Sequence, residues 1–167
     1  LKEEEHELTD KAATLQPLAS KILMKVLYAA RYARFELLRP TRSLAQKVSE
    51  WTPYWDKMLH RLISYINSTL DVKQVGYVGD SLDKLYLQLY GDADFAGCID
   101  TQKSTSGIYM TLVGPKTDFP QGAVSNRQKC VSHSTSEAEI VAADQAVRTE
   151  GMPAMSLWDI LVGSPIK

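Results

Sequence analysis

Two short runs carry residue types that could bind a metal ion. One is Gly91-Asp92-Ala93-Asp94-Phe95-Ala96-Gly97 and the other is Ser134-Thr135-Ser136-Glu137-Ala138-Glu139. Carboxylates are hard oxygen donors of the kind that Mg²⁺ takes. Leu85, Leu87 and Leu89 alternate with Tyr86, Gln88 and Tyr90 ahead of Asp92, which predicts a strand ending on two aspartates. Ser136 ahead of Glu137 suits a helix cap and puts both glutamates in a first turn. Carboxylates at a strand end and a helix start can converge on one point. Two metal ions held that way hydrolyse phosphodiesters.

The elements that must position these groups follow from periodicity. Residues 1–16 form a polar leader. Leu18, Ile22, Leu23, Val26, Leu27 and Ala30 recur at helical spacing, and the helix should run to Leu38, where Arg39-Pro40 stops it. A second helix is expected over 41–50. A third starts at Thr52-Pro53, shows Trp55, Leu59, Leu62, Ile63 and Ile66 on one stripe, and ends near Leu70. The period then changes to two. Strands are expected at 85–92, at 106–113 before the Gly114-Pro115 turn, and within 122–133. A helix from Glu137 to Arg148 follows, broken at Gly151-Met152-Pro153, and then a short apolar helix over 154–162, ended by Gly163-Ser164-Pro165. The fold class is α+β. A helical segment (17–72) precedes a β-β-β-α unit (73–167), with three sequential strands in an antiparallel meander and the helix on one face.

Charge is uneven along the 167 residues, although the net is −1. Residues 1–19 carry −3, residues 20–73 carry +6 and residues 74–167 carry −4. A basic middle beside an acidic end fits a phosphate-contacting arm next to a carboxylate metal site, and it equally fits a solvated basic helix face. Lys21, Lys25, Arg31 and Arg34 are the residues at issue. No apolar run is long enough to span a membrane. The acidic start does not resemble a signal peptide. Cys98 and Cys130 suggest neither a disulfide framework nor a zinc site, and free thiols are expected in a reducing, intracellular compartment.

Four motifs in order resemble a known family. Asp92-Ala93-Asp94-Phe95-Ala96-Gly97, Lys103-Ser104-Thr105-Ser106-Gly107, Gln128 and Ser134-Thr135-Ser136-Glu137-Ala138-Glu139 are similar to the ribonuclease H region of Ty1/copia-type retrotransposon polyproteins. Upstream, Lys25-Val26-Leu27-Tyr28-Ala29-Ala30-Arg31 and the run from Trp55 to Ile66 resemble the segment that joins reverse transcriptase to ribonuclease H there. The resemblance covers nearly everything from Ala19 to Leu161.

It implies a ribonuclease H-like fold and cleavage of RNA in RNA–DNA hybrids with two Mg²⁺ ions. Asp92 matches the family's first-strand aspartate. Glu139 matches its helix glutamate better than Glu137 does, because the apolar positions Ile140, Val141 and Ala142 follow it. Asp94 is either an outer metal partner or a residue bonded to its own turn. Lys103, Ser104 and Thr105 are candidate backbone contacts for the hybrid, as are Arg127, Gln128 and Lys129, against the plainer reading of an ordinary hairpin loop and a strand end. His133 reads as structural. The family's fourth strand, with its aspartate, would follow Lys167, so the resemblance implies a truncated unit with an incomplete site.

Two function classes follow. One is a retroelement-derived ribonuclease H-like hydrolase, inactive as this fragment. The other is a non-catalytic relic acting as a structural or assembly subunit, with its exposed sheet edge pairing with a protein partner.

Overall fold

The computed structural model describes residues 13–98 and 101–163. The chain divides between Gln74 and Val75 into two compact units. Most of the polar leader (residues 1–12) and the Ser164-Pro165 part of the final stop lie outside the described residues.

In the first unit α1 spans Gln16–Tyr32, with Pro17 in its first turn, where a missing N–H costs nothing. Ala19, Leu23 and Ala30 are buried on one face. The helix does not run to Leu38 as the periodicity predicts. It ends at Tyr32, a 3₁₀ turn follows at Phe35–Leu37, and α2 spans Leu38–Ala45. Pro40 therefore lies in the first turn of a helix instead of stopping one, because the first turn needs no N–H at that position. The break is tied to a residue further along the chain. Arg34 turns out of the helix, and its guanidinium donates to the Thr69 carbonyl (3.0 Å) and the Thr69 hydroxyl (2.8 Å).

A second 3₁₀ turn, Val48–Glu50, precedes α3 (Pro53–Ser68), which buries Tyr54, Leu59 and Leu62. Asp56 fastens the two long helices together. Its carboxylate accepts from the Trp51 indole (2.7 Å), the Thr14 N–H (2.7 Å), the Thr14 hydroxyl (3.1 Å) and the Leu15 N–H (3.2 Å). Burial alone would push this carboxyl up. The four hydrogen bonds outweigh it and hold the group below the ordinary carboxylate value. Leu37, Leu44, Trp55, Met58 and Leu62 line an apolar cleft of about 500 Å³ in the same unit.

The second unit is a four-stranded antiparallel sheet, among the described residues, with one helical run against it. β1 (Tyr77–Val78), β2 (Tyr86–Asp94), β3 (Thr105–Gly114) and β4 (Thr117–Arg127) are ordered β1-β4-β3-β2. β2, β3 and β4 form the expected antiparallel meander. Its register pairs Asp92 with Gly107, Ala93 with Ser106 and Asp94 with Thr105. β4 starts five residues earlier than the 122–133 window and takes in Pro120. The register shifts beside Pro120, between Met110 and Thr111, and an irregularity tolerates a residue with no N–H to give.

α4 spans Thr135–Ala146 and is capped by Ser134, not by Ser136: the Ser134 hydroxyl accepts from the Glu137 N–H (3.1 Å). The helical path is not broken at Gly151. A π-turn, Val147–Gly151, carries it into α5 (Met152–Val162), and Pro153 sits in the first turn of α5. Gly163 closes α5 in the left-handed conformation (φ 69°).

Candidate functional site

Small residues bring α4 down onto β2. Ala138 and Ala142, one turn apart, are buried against Ala93. A Cβ on Gly91 would stand 3.3 Å from the Ala146 Cβ and 3.4 Å from the Ala142 carbonyl oxygen, so the strand and helix nearly touch there. This packing sets the two carboxylate motifs side by side. Asp92 and Glu139 each lie one residue from the Ala93–Ala138 contact. By the alternation of the strand, Asp92 sits on the face of β2 that Ala93 does not use. Asp92 is exposed and Glu139 half-buried.

The four acids of the two motifs separate into two kinds. Asp94 is spent on its own turn. It accepts the Thr105 N–H, and a Cβ on Gly97 would collide with its carboxylate. Glu137 is spent on the helix start, accepting the His133 N–H at 2.7 Å. The carboxylates of Asp92 and Glu139 carry no hydrogen bond or ion pair among the described residues. They fit Mg²⁺ in kind and not in number. Two-metal sites use more carboxylates than two, and no group of three His, Cys, Asp or Glu side chains among the described residues could hold a metal.

Comparison with known proteins bears on origin. No family model matches the chain, and no solved structure matches it. Part of it, 59 residues or 35% of the chain, is 45% identical to the retrovirus-related Pol polyprotein from transposon TNT 1-94 of Nicotiana tabacum. The chain spans about 4% of that polyprotein's length. A longer and weaker likeness, 28% over 123 residues, is to the secreted RxLR effector protein 161 of Plasmopara viticola, covering 74% of this chain and 82% of that protein. The chain is similar to part of a retrotransposon polyprotein. That similarity supports a retrotransposon origin.

The candidate nucleic-acid contacts divide by burial. Ser104 is fully buried, and its hydroxyl accepts the Ala96 N–H at 3.1 Å. Thr105 is half-buried, with its N–H committed to Asp94. Lys103 is half-buried, and its carbonyl accepts the Cys98 N–H. Arg127 is half-buried at the end of β4, opposite Thr105, and Lys129 is exposed just beyond it.

Gln128 corrects the sequence reading most sharply. It is 4% exposed, and its amide nitrogen donates to the Ser106 hydroxyl (3.1 Å) and the Ala138 carbonyl (2.9 Å). Its amide oxygen accepts from the Ser132 hydroxyl (3.2 Å). With both amide hydrogens directed inward, Gln128 holds the sheet to α4 and has none left for a hybrid. Ser106 and Ser132, which sequence reasoning passed over, are buried because they complete this network. The available signal was the serine at position 106, in phase with the apolar Ile108 of the same strand.

Proposed function

We propose that the second unit is a ribonuclease H-type unit of a copia-like retroelement polyprotein, and that the helical first unit is the connection that precedes it. In this reading Asp92 and Glu139 are two of the carboxylates that hold Mg²⁺ against the backbone of an RNA–DNA hybrid. The observation that carries it is the division of labour among the four acids. The local fold uses Asp94 and Glu137 and leaves Asp92 and Glu139 uncommitted. Carboxylates that the fold does not use, on two motifs that pack together through Ala93 and Ala138, are candidates for a task other than folding. Lys103, Arg127 and Lys129 lie toward the same end of the unit and offer cations to phosphates. A further carboxylate has to come from outside the described residues before a hydrolytic site is complete, so in this reading Asp92 and Glu139 alone hold a metal weakly and do not turn over a hybrid.

The test uses Mn²⁺ as a paramagnetic stand-in for Mg²⁺. Amide resonances beside Asp92 and Glu139 are expected to broaden at low Mn²⁺, and Asp92→Asn is expected to abolish the effect. A labelled hybrid incubated with Mg²⁺ is expected to stay intact. Broadening that ignores Asp92→Asn would overturn the assignment. Metal-dependent cleavage lost in Asp92→Asn would keep the ligands and overturn the inactivity.

A second reading is favoured by the likeness that covers most of the chain, to a secreted effector. In it the unit is non-catalytic and works through protein contacts. β2 has a sheet neighbour on one side only, among the described residues, and such an edge accepts a further strand. Absence of any Mn²⁺ effect at Asp92 selects this reading.

A further inference from the structure

We propose that the outer face of α1 binds single-stranded nucleic acid, with Lys21 and Lys25 against phosphates and Tyr28 and Tyr32 stacking on bases. The inference rests on the first unit alone and is independent of the carboxylate pair. The 17 residues of α1 include no aspartate or glutamate. Ala19, Leu23 and Ala30 define its buried side. Lys21, Met24, Lys25, Tyr28 and Tyr32 recur at three- and four-residue spacing on the opposite side, and all five are exposed.

The tyrosines are the decisive feature. Tyr28 is 70% exposed and Tyr32 is 73% exposed, and their rings stand 5.1 Å apart, tilted by 55°. Side chains of this size normally bury much of their area or meet a partner. Here they form an open aromatic pair next to two lysines that are in no ion pair among the described residues. The surroundings carry the same sign, since residues 20–73 have a net charge of +6. Aromatic faces with a cationic track are the two components of single-strand recognition, because every base has a stackable face and every linkage a charge.

Duplex and membrane fit less well. A duplex keeps its bases stacked inside and offers nothing to the tyrosines. A helix lying on a membrane separates its lysines from its apolar face. In α1 the lysines and tyrosines share one face, so immersing the rings would immerse the charges.

The test is fluorescence anisotropy of the full chain, in EDTA so that no metal site contributes. The probe is a labelled oligothymidylate of about 20 nucleotides, longer than the ~4–16 that one binding module spans. Binding at low salt is expected, weakening as salt rises. Lys21→Gln with Lys25→Gln should flatten the log–log salt dependence by about 1.4, at about 0.7 per phosphate contact on a single strand. Tyr28→Ala with Tyr32→Ala should weaken binding about tenfold or more and leave the slope unchanged. All four positions are exposed, so circular dichroism should show the variants folded. Three results would overturn the proposal: no binding at low salt, equal competition by a duplex of the same length, or a tyrosine variant that binds like the parent. Sedimentation with anionic phosphatidylserine vesicles, without oligonucleotide binding, would assign the face to membranes instead.

Discussion

The Gln128 amide donates to the carbonyl of Ala138 across 2.9 Å, which ties the residue just past β4 to the first turn of α4. The same amide holds Ser106 and Ser132. One buried side chain thus links the sheet, the loop and the helix that carries Glu139. Gln128→Leu keeps the volume and removes the three bonds, leaving buried hydroxyl and carbonyl groups unsatisfied. A loss of about 2–4 kcal/mol is expected, at about 1–3 kcal/mol for each group left unsatisfied, partly offset by the apolar replacement. Urea unfolding followed on the second unit measures it. A change under ~0.5 kcal/mol would mean that the network is incidental.

Gly91 faces Ala146 with room for a hydrogen and little more. A methyl group there would sit 3.3 Å from the Ala146 Cβ, tighter than ordinary contact. Gly91→Ala is expected to cost about 1–3 kcal/mol through overpacking. Ala146→Gly in the same chain relieves the clash but adds its own helix-propensity cost of about 1 kcal/mol. The double-mutant cycle should therefore show a favourable coupling between the two sites. Additive costs would place the strain elsewhere.

Much of the second unit was legible because its faces are chemically distinct. Leu85, Leu87 and Leu89 alternate with polar or tyrosyl neighbours, and Ile108 and Leu112 do the same on β3, so period two survives in the sequence. What escaped depended on contacts distant in the chain. Arg34, just past the end of α1, is held by Thr69, and nothing near Arg34 in the sequence announces that contact. Pro120 is legal in β4 only because the register shifts beside it. Ser134 and Ser136 are equivalent as sequence signals, and the hydroxyl that meets the Glu137 N–H decides between them. At the candidate site the sequence already favours Glu139 over Glu137 and leaves Asp94 between metal partner and turn residue. The fold adds the bonds that occupy Asp94 and Glu137 and shows that Gln128 is internal.

Asp56 makes the first unit sensitive to acid. Its carboxyl lies below the ordinary value in the folded state. A depressed folded pKa contributes stability that is fully present above the unfolded pKa and is lost as pH falls through the folded one. The loss should therefore begin below about pH 4, the range of an unfolded aspartate. Asp56→Asn should remove that part of the acid response. At neutral pH it should also destabilise the unit by about 1.5–3 kcal/mol, the worth of hydrogen bonds to a charged group. Thermal melts of both proteins between neutral and acidic pH separate the two effects. A variant that keeps the parent's full acid response would assign it to other groups.

Asp92 and Asp94 are two residues apart on one strand and should respond oppositely to the same change. The Asp94 carboxylate accepts the Thr105 N–H and closes the turn to β3. Asp94→Asn weakens a charge-assisted bond and should cost about 1–2 kcal/mol. Asp92 gives the fold nothing comparable among the described residues. Asp92→Asn should leave stability within ~0.5 kcal/mol of the parent, as for an exposed side chain without a structural partner. Denaturation midpoints of the two variants, measured together, decide the matter. A neutral Asp92→Asn marks a carboxylate retained for a task other than folding. An equal loss in both would make Asp92 structural, and the metal reading would lose the observation it rests on.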